Sequence, residues 1–352
     1  MMLMTEDKII LGIESSCDET SCAIVKNGRE VLANAVTSQI DLHKRFGGVV
    51  PEIASRAHIE AINTVIDEAF ETAGITHKDI DAVAVTHQPG LIGSLLVGLM
   101  SAKTLAWTWG VPLVGVNHVL AHAYAANLEA EPVQYPAVAL IASGGHTALY
   151  HCQGPADMKL LGTTIDDAAG EAYDKVATIL GLGYPGGPIV DKTAAKGNPQ
   201  AVDFPRTLLK GQSLDFSFSG IKTAVLYHVN GTPSQPAPAD RDWGIENLSE
   251  QQINDIAASF QQAVVETLII KIRRALKVTG AKTIILGGGV AANSGLRSAA
   301  QVLADKARIT LRRPEMRFCT DNAAMIAGLG YHNLLAGAVS DLSLSATPTV
   351  NL

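Results

Sequence analysis

The chain has 352 residues, 47% apolar and 17% charged, which is enough to bury more than one core and too apolar for disorder. Its 27 basic and 34 acidic residues leave a formal charge of −7, which excludes a protein that coats nucleic acid by charge alone. The length predicts two domains, and 32 glycines against 5% aromatics suit close-packed α/β layers with many tight turns.

Residues 1–8 contain neither a basic segment nor a long apolar run, so they do not read as a signal peptide. The first hairpin is expected at residues 9–25: an apolar run, a polar turn holding Asp18 and Glu19, and a returning strand. Helical spacing follows over 52–72. The apolar stretch 91–116 is broken by Ser94, Lys103 and Pro112, so it reads as a buried helix (93–109) and a strand rather than a membrane span. A short helix is expected over 119–128, and a second hairpin over 137–150, turning at Ser143-Gly144-Gly145-His146. Residues 230–239 have the composition of a flexible loop, and 252–276 form a long amphipathic helix. A third apolar run, 283–286, ends in Gly287-Gly288-Gly289 and leads into a helix over 294–307; residues 347–352 read as a loose tail. The four cysteines, Cys17, Cys22, Cys152 and Cys319, form no CxxC pair and read as thiols in a reducing compartment, the cytoplasm. Two basic clusters, Lys271/Arg273/Arg274/Lys277 and Arg308/Arg312/Arg313/Arg317, read more readily as solvated faces than as nucleic-acid patches.

The two hairpins suggest an internal duplication, two similar lobes each opening with a turn that faces a shared cleft. That is the arrangement of the actin, Hsp70 and sugar-kinase superfamily (ASKHA). Within it, Asn117-His118-Val119-Leu120-Ala121-His122 places two imidazoles at i and i+4, on one helical face, where they can share an ion. Core or capping histidines are the alternative. Val119 stands where an HExxH peptidase keeps its glutamate, so that reaction loses its general base. Asp321, at the expected N-terminus of the last helix, is either a third ligand or a helix cap. The 143–147 turn offers consecutive unhindered N–H groups suited to phosphate, or merely turns a hairpin. The triple glycine lacks the GxGxxG order, and no GxxxxGK[ST] is present, so neither a dinucleotide Rossmann site nor a P-loop is expected. Asp174 and Asp191, beside glycine turns, suit ribose hydroxyls or turn stabilisation.

These segments together resemble the TsaD family of tRNA N6-adenosine threonylcarbamoyltransferases, formerly described as O-sialoglycoprotein endopeptidases. The stretches that carry the resemblance are 12–20, 47–56 (Gly47-Gly48-Val49-Val50-Pro51-Glu52-Ile53-Ala54-Ser55-Arg56), 88–91, 117–122, 143–147, 166–175, 184–188, Phe216-Ser217-Phe218-Ser219-Gly220-Ile221-Lys222-Thr223, 287–293 and 320–324. Departures are Phe46, where tyrosine is common, and a longer polar loop around 230–247.

The resemblance implies an α/β, ASKHA duplicated two-lobe fold with a central nucleotide cleft, its lobes at 1–133 plus about 325–352 and at 134–324. It implies transfer of the threonylcarbamoyl group of L-threonylcarbamoyl-AMP to N6 of the adenosine 3′ to the anticodon (position 37) of tRNAs reading codons that begin with A. The family pattern places one divalent ion, Fe²⁺ or Zn²⁺, on His118, His122 and Asp321. It places the adenylate on Ile141, Ala142, Ser143, Gly144, Gly145, Asp174, Gly187, Asp191 and Asn293. Asp18 and Glu19 are candidates for taking the amine proton or orienting the acceptor. The implied partners are tRNA, a catalytically silent TsaB-like paralogue, a TsaE-like ATPase and an upstream threonylcarbamoyl-AMP synthase, with no membrane. Rival readings are a sugar-kinase-like phosphotransferase, which would use ATP, Mg²⁺ and a carboxylate base and have no use for a histidine pair, and a small-molecule carbamoyltransferase on the same fold. A scaffold paralogue would lack the histidines altogether.

Overall fold

The computed structural model describes residues 7–232 and 243–349. In chain order they form β1 (Ile9–Glu14), β2 (Glu19–Lys26), β3 (Glu30–Ser38), α1 (Ile40–His43), α2 (Pro51–Ala73), β4 (Ala82–Gln88), α3 (Ile92–Trp109), β5 (Leu113–Asn117) and α4 (His118–Tyr124). They continue through β6 (Ala137–Ala142), β7 (Thr147–Cys152), β8 (Met158–Thr163), α5 (Ala169–Ile179), α6 (Gly186–Ala194), α7 (Ser219–Asn230), α8 (Glu250–Thr279), β9 (Thr283–Gly287), α9 (Ser294–Ala307), β10 (Thr310–Arg312) and α10 (Ala323–Leu335). Two compact units result: Met1–Val133 with Gly154–Met158 and Arg313–Leu352, and Gln134–Gln153 with Lys159–Arg312.

In the first unit a five-stranded sheet runs β3-β2-β1-β4-β5, with β1 antiparallel to β2 and parallel to β4. Alternation along β1 decides which helices cover which face. Leu11 and Ile13 join a core with Val65 of α2 and Leu99 and Ala102 of α3. Ile10 faces the opposite core, built with Ala324, Ala327 and Leu329 of α10 and Tyr124 of α4. Gly12 lies on that second face, where a Cβ would stand 2.4 Å from Ala323 O and 2.9 Å from Ala327 Cβ. Only a glycine lets the start of α10 come this close to the sheet.

In the second unit the sheet runs β10-β9-β6-β7-β8, repeating the strand order of the first: an antiparallel hairpin extended on one side by two parallel strands. The central strand β6 is buried at every position, as expected for a strand covered on both faces. Its core gathers Val176 of α5, Val190 of α6, Val225 of α7, Phe260 and Leu268 of α8 and Leu296 of α9. α8 starts with a reciprocal cap in which Ser249 N donates to Gln252 Oε1 (2.8 Å) and Gln252 N to Ser249 Oγ (3.3 Å).

Both expected hairpins form, and so do the four longer helices, each within a few residues of the expected ends. The chain returns to the first unit at Arg313, earlier than about 325, because Phe318 and Cys319 are buried and Phe318 belongs to the core that α10 covers. Asp321 therefore sits in the first unit. The expected tail is held: Thr347 N donates to His87 O (2.9 Å) and Gly90 N to Pro348 O (3.2 Å), while residues 350–352 lie outside the described residues. Most of the expected loop at 230–239 also lies outside them. The basic cluster on α8 is no patch, since Lys271 is buried and its Nζ donates to Leu208 O and Ser213 O at 2.8 and 2.7 Å. Among the described residues no helix is long and apolar enough to cross a membrane.

Candidate metal centre and nucleotide-binding turns

β5 ends at Asn117, whose Oδ1 accepts from Val119 N (2.9 Å) and Leu120 N (3.1 Å) and so starts α4 at His118. The strand thus delivers both imidazoles onto one helical face, with ring centroids 4.7 Å apart. Asp321 Oδ1 lies 3.1 Å from His122 Nε2 and 3.5 Å from His118 Nε2. One ligand atom from each of the three falls within 4.8 Å of the others. Asp321 is not the cap of α10. That place belongs to Asn322, whose Oδ1 accepts from Met325 N at 3.1 Å, and this leaves the Asp321 carboxylate to the histidines.

Behind the pair stands a residue that the motif reading passed over. Glu14, wholly buried at the end of β1, has Oε2 2.9 Å from His118 Nδ1 and accepts there from Thr86 Oγ1 at 2.6 Å. Its Oε1 accepts from Ser16 N at 2.5 Å, and Ser16 Oγ lies 3.2 Å from the same Nδ1. A carboxylate on Nδ1 keeps a proton there, so Nε2, which faces Asp321, is the nitrogen left to exchange its proton for a metal, which is how metal-ligating histidines are oriented. A charge closing an apolar strand was the available signal, because a buried carboxylate demands partners.

Burial opposes the charge on Glu14 and Asp321, but the His118 imidazole beside them outweighs it, and both carboxyls sit below their ordinary range. Burial likewise opposes charge on His118; Asp321 and Glu14 overcome it and push its pKa well above the ordinary value. The pocket stabilises positive charge. His122 Nδ1 is buried with no hydrogen-bond partner among the described residues, so that ring makes its polar contact through Nε2 alone. Two Nε2 atoms, a shared carboxylate and a field that favours a cation fit a divalent metal ion. In the same unit the β1–β2 turn carries Asp18, and Glu19 opens β2. Burial, then Asp321 and Asp18, push the Glu19 carboxyl well above its ordinary range, and Glu19 Oε1 accepts from Ser38 Oγ at 3.2 Å.

The second unit holds the other expected residues. Ile141 and Ala142 pair with Ala148 and Thr147 of β7. The turn between them closes with Ser143 N donating to His146 O (2.8 Å) and His146 N to Ser143 Oγ (3.2 Å). A Cβ at Gly144, Gly145, Gly187 or Gly289 would meet nothing within 4 Å, and none of the four has a positive φ. Folding does not require glycine there, and the bare backbone is left open to an approaching ligand. Gly288 differs, with φ +84° and a would-be Cβ 2.4 Å from Ala142 O, so it packs the 287–289 turn against the end of β6.

Asp174 Oδ1 accepts from Gly186 N at 2.7 Å, fixing the start of α6 beside Gly187. Asp191 and Asn293, 102 positions apart, are joined directly, with Asn293 Nδ2 donating to Asp191 Oδ1 at 3.2 Å. Gln261 Nε2 (2.9 Å) and Ser294 Oγ (2.8 Å) donate to the same oxygen, and Asn293 Nδ2 also donates to Gln261 Oε1 at 2.7 Å. Gln261 and Ser294 were missed in the sequence. Gln261 is one of several polar side chains buried on α8, with Asn254, Ser259, Thr267 and Lys271, so the sequence gives no signal that singles it out.

A family model described as TsaD, tRNA N6-adenosine threonylcarbamoyltransferase, matches residues 30–328. The chain belongs to this family. A tRNA N6-adenosine threonylcarbamoyltransferase of Symbiobacterium thermophilum is 52% identical over 344 residues, covering 98% of this chain and 97% of the relative. One of Clostridioides difficile is 49% identical over 346 residues, 98% and 99% of the two chains. Among solved structures, T. kodakarensis HypF aligns with TM-score 0.60 at 15% identity, over 96% of this chain and 49% of its own. Component A of the (R)-2-hydroxyglutaryl-CoA dehydratase of Acidaminococcus fermentans aligns with TM-score 0.53 at 17% identity, over 93% and 99%. At such identities the likeness shows the fold alone. The TsaD match includes His118, His122 and Asp321, while Glu14, Asp18 and Glu19 precede residue 30 and fall only within the near full-length relatives' span.

Proposed function

We propose that the chain transfers the threonylcarbamoyl group of L-threonylcarbamoyl-AMP to N6 of adenosine 37 of tRNAs reading codons that begin with A, giving N6-threonylcarbamoyladenosine and AMP. The observation that carries this reading is the convergence of His118, His122 and Asp321 in a chain of the TsaD family. The N–C bond to the acceptor forms as the C–O bond to the AMP phosphate breaks, and N6 gives up a proton. The AMP phosphate is a good leaving group, so the main demand on the protein is alignment of the two substrates.

A divalent ion on His118, His122 and Asp321, Fe²⁺ or Zn²⁺ by the donor set, would supply Lewis acidity toward phosphate or carbonyl oxygen. Glu14 keeps the His118 ring turned so that Nε2 is the donor. Ile141, Ala142, Ser143, Gly144 and Gly145 take the adenylate along open backbone, Asp174 fixes the turn that carries Gly187, and the Asp191–Asn293 pair takes hydroxyls or base edges. Asp18 and Glu19 orient the acceptor amine or take its proton.

The two units are, in this reading, the duplicated halves of an ASKHA fold, supported by their repeated strand order. The tRNA acts together with a TsaB-like paralogue, a TsaE-like ATPase and an upstream threonylcarbamoyl-AMP synthase, in the cytoplasm. An acidic chain of net charge −7 that gains its hold on tRNA from partners fits that set. The test is to incubate metal-loaded protein and partners with threonylcarbamoyl-AMP and unmodified tRNA, and to analyse the nucleosides by mass spectrometry. Threonylcarbamoyladenosine is expected. Its absence, with sugar phosphate formed from ATP in a parallel reaction, would favour a phosphotransferase.

A further inference from the structure

Neither the metal centre nor the glycine turns give a role to the stretch between β3 and α2, which includes Lys44, Arg45, Phe46, Gly47 and Gly48 and leads to Arg56. This loop is firmly rooted. His43 is wholly buried, its Nε2 lies 3.3 Å from Gln39 Oε1, and its Nδ1 accepts from Val50 N at 3.3 Å. One imidazole thus ties the two ends of the loop together. Gln39 N donates to Asp18 O at 2.9 Å and Gln39 Nε2 to Ala54 O at 3.4 Å. The root therefore stands on the turn that carries Asp18 and leads into Glu19, at the sheet end where β1 and β5 deliver Glu14 and His118.

Between the tied ends the side chains face solvent. Phe46 is 50% exposed, and the Arg45 guanidinium carbon lies 4.8 Å from its ring centroid. Arg45 and Arg56 are both exposed. Arg45 covers part of the ring, and the other half stays open at the surface of a rooted loop. An aromatic face backed by cations is the chemistry that stacks an unpaired base and meets its flanking phosphates. In a chain of net charge −7 such contacts have to be local.

We propose that this loop reads the single-stranded anticodon loop of the acceptor tRNA: a base neighbouring the acceptor adenosine stacks on Phe46, and Arg45 and Arg56 contact the adjoining phosphates. The inference rests on tRNA being the acceptor. Its test uses full-length metal-loaded protein with its partners, unmodified tRNA, and a fluorescent anticodon stem–loop as the binding probe. Phe46→Ala is expected to weaken stem–loop binding by about five- to a hundred-fold, with Phe46→Trp restoring it. The same variant raises KM for tRNA, leaves kcat at saturating tRNA near that of the parent, and changes neither metal content nor adenylate affinity. Arg45→Ala lowers the salt dependence of binding by about one counterion. Stem–loop affinity and KM unchanged in Phe46→Ala would overturn the proposal while leaving the transfer reaction standing, as would loss of a partner protein with RNA binding intact. A parent protein that neither binds nor modifies tRNA would overturn the transfer reading and this one together.

Discussion

Replacing Glu14 by glutamine tests whether the metal centre depends on a residue that never touches the ion. Glu14 accepts on both oxygens: Oε1 from Ser16 N, and Oε2 from Thr86 Oγ1, with His118 Nδ1 2.9 Å away. A glutamine has one oxygen and one NH₂ in the same space. If the oxygen faces His118, the NH₂ points at the Ser16 N–H and two donors collide. If the amide turns over, its NH₂ needs an acceptor, and the neutral imidazole supplies one by moving its proton from Nδ1 to Nε2. The proton then occupies the lone pair that a metal requires. Either arrangement harms the protein, by different routes.

Loss of such an outer partner lowers metal affinity by about 10- to 100-fold, or roughly 1.4–2.7 kcal/mol. A buried donor left without a partner costs about 1–3 kcal/mol of folding stability. Chelator-competition titration of the folded variant reads the first effect, and denaturant unfolding of the metal-free protein reads the second. Glu14→Gln is expected to bind metal at least tenfold more weakly than the parent while remaining folded. Parent-like affinity in a variant of otherwise normal metal stoichiometry would refute the claim that Glu14 sets the His118 tautomer.

His122→Ala should give a folded protein with little bound metal and no transfer activity; undiminished metal by elemental analysis would remove His122 from the ligand set. Gly144→Ala, whose Cβ meets open space, should stay within about 0.5 kcal/mol of the parent in unfolding and lose adenylate affinity by calorimetry. Gly288→Ala, with φ +84° and Ala142 O at 2.4 Å, should instead lose about 1–3 kcal/mol of stability; equal effects at the two glycines would contradict their separation. Burial opposes the charge of Asp167, but Lys222 (2.7 Å) and Lys175 (3.0 Å) hold its carboxyl below the ordinary range. Its stabilisation is therefore complete above the unfolded value of about 3.9 and lost as pH falls through the lower folded one. The stability gap between parent and Asp167→Asn should close toward acid; a gap of constant size would count against the ion pairs as its source.

The hairpins were legible because apolar runs broken by small polar turns are local signals, and the histidine pair was legible because its spacing is. Several other elements were not. β4, Ala-Val-Ala-Val-Thr-His-Gln, is a short parallel strand that reads as part of any apolar run, and β10 has only three residues. α5, α6 and α7 each carry glycine near their starts, at Gly170, Gly186-Gly187 and Gly220, where punctuation masks the helical period. Asp321 and Asn322 are equally good caps by residue type, and only the folded chain decides that Asn322 takes the cap and frees its neighbour. Asp191 looked like a turn residue and Asn293 entered only through the family pattern, and nothing local says that they share a hydrogen bond.

Gly12 connects these levels. It carries no chemistry, yet its missing Cβ lets α10 settle on β1, and the residue that enters the metal trio lies just ahead of that helix. The trio therefore closes only when the C-terminal helix has docked on the N-terminal strand. An ion bound by His118, His122 and Asp321 stabilises that docking by mass action, and weak docking lowers affinity for the ion by the same linkage. Metal loading thus reports the assembly of the whole first unit. A substitution far from the histidines can therefore empty the site without altering a ligand, and metal content has to be read beside a folding measurement for any variant in β1 or α10.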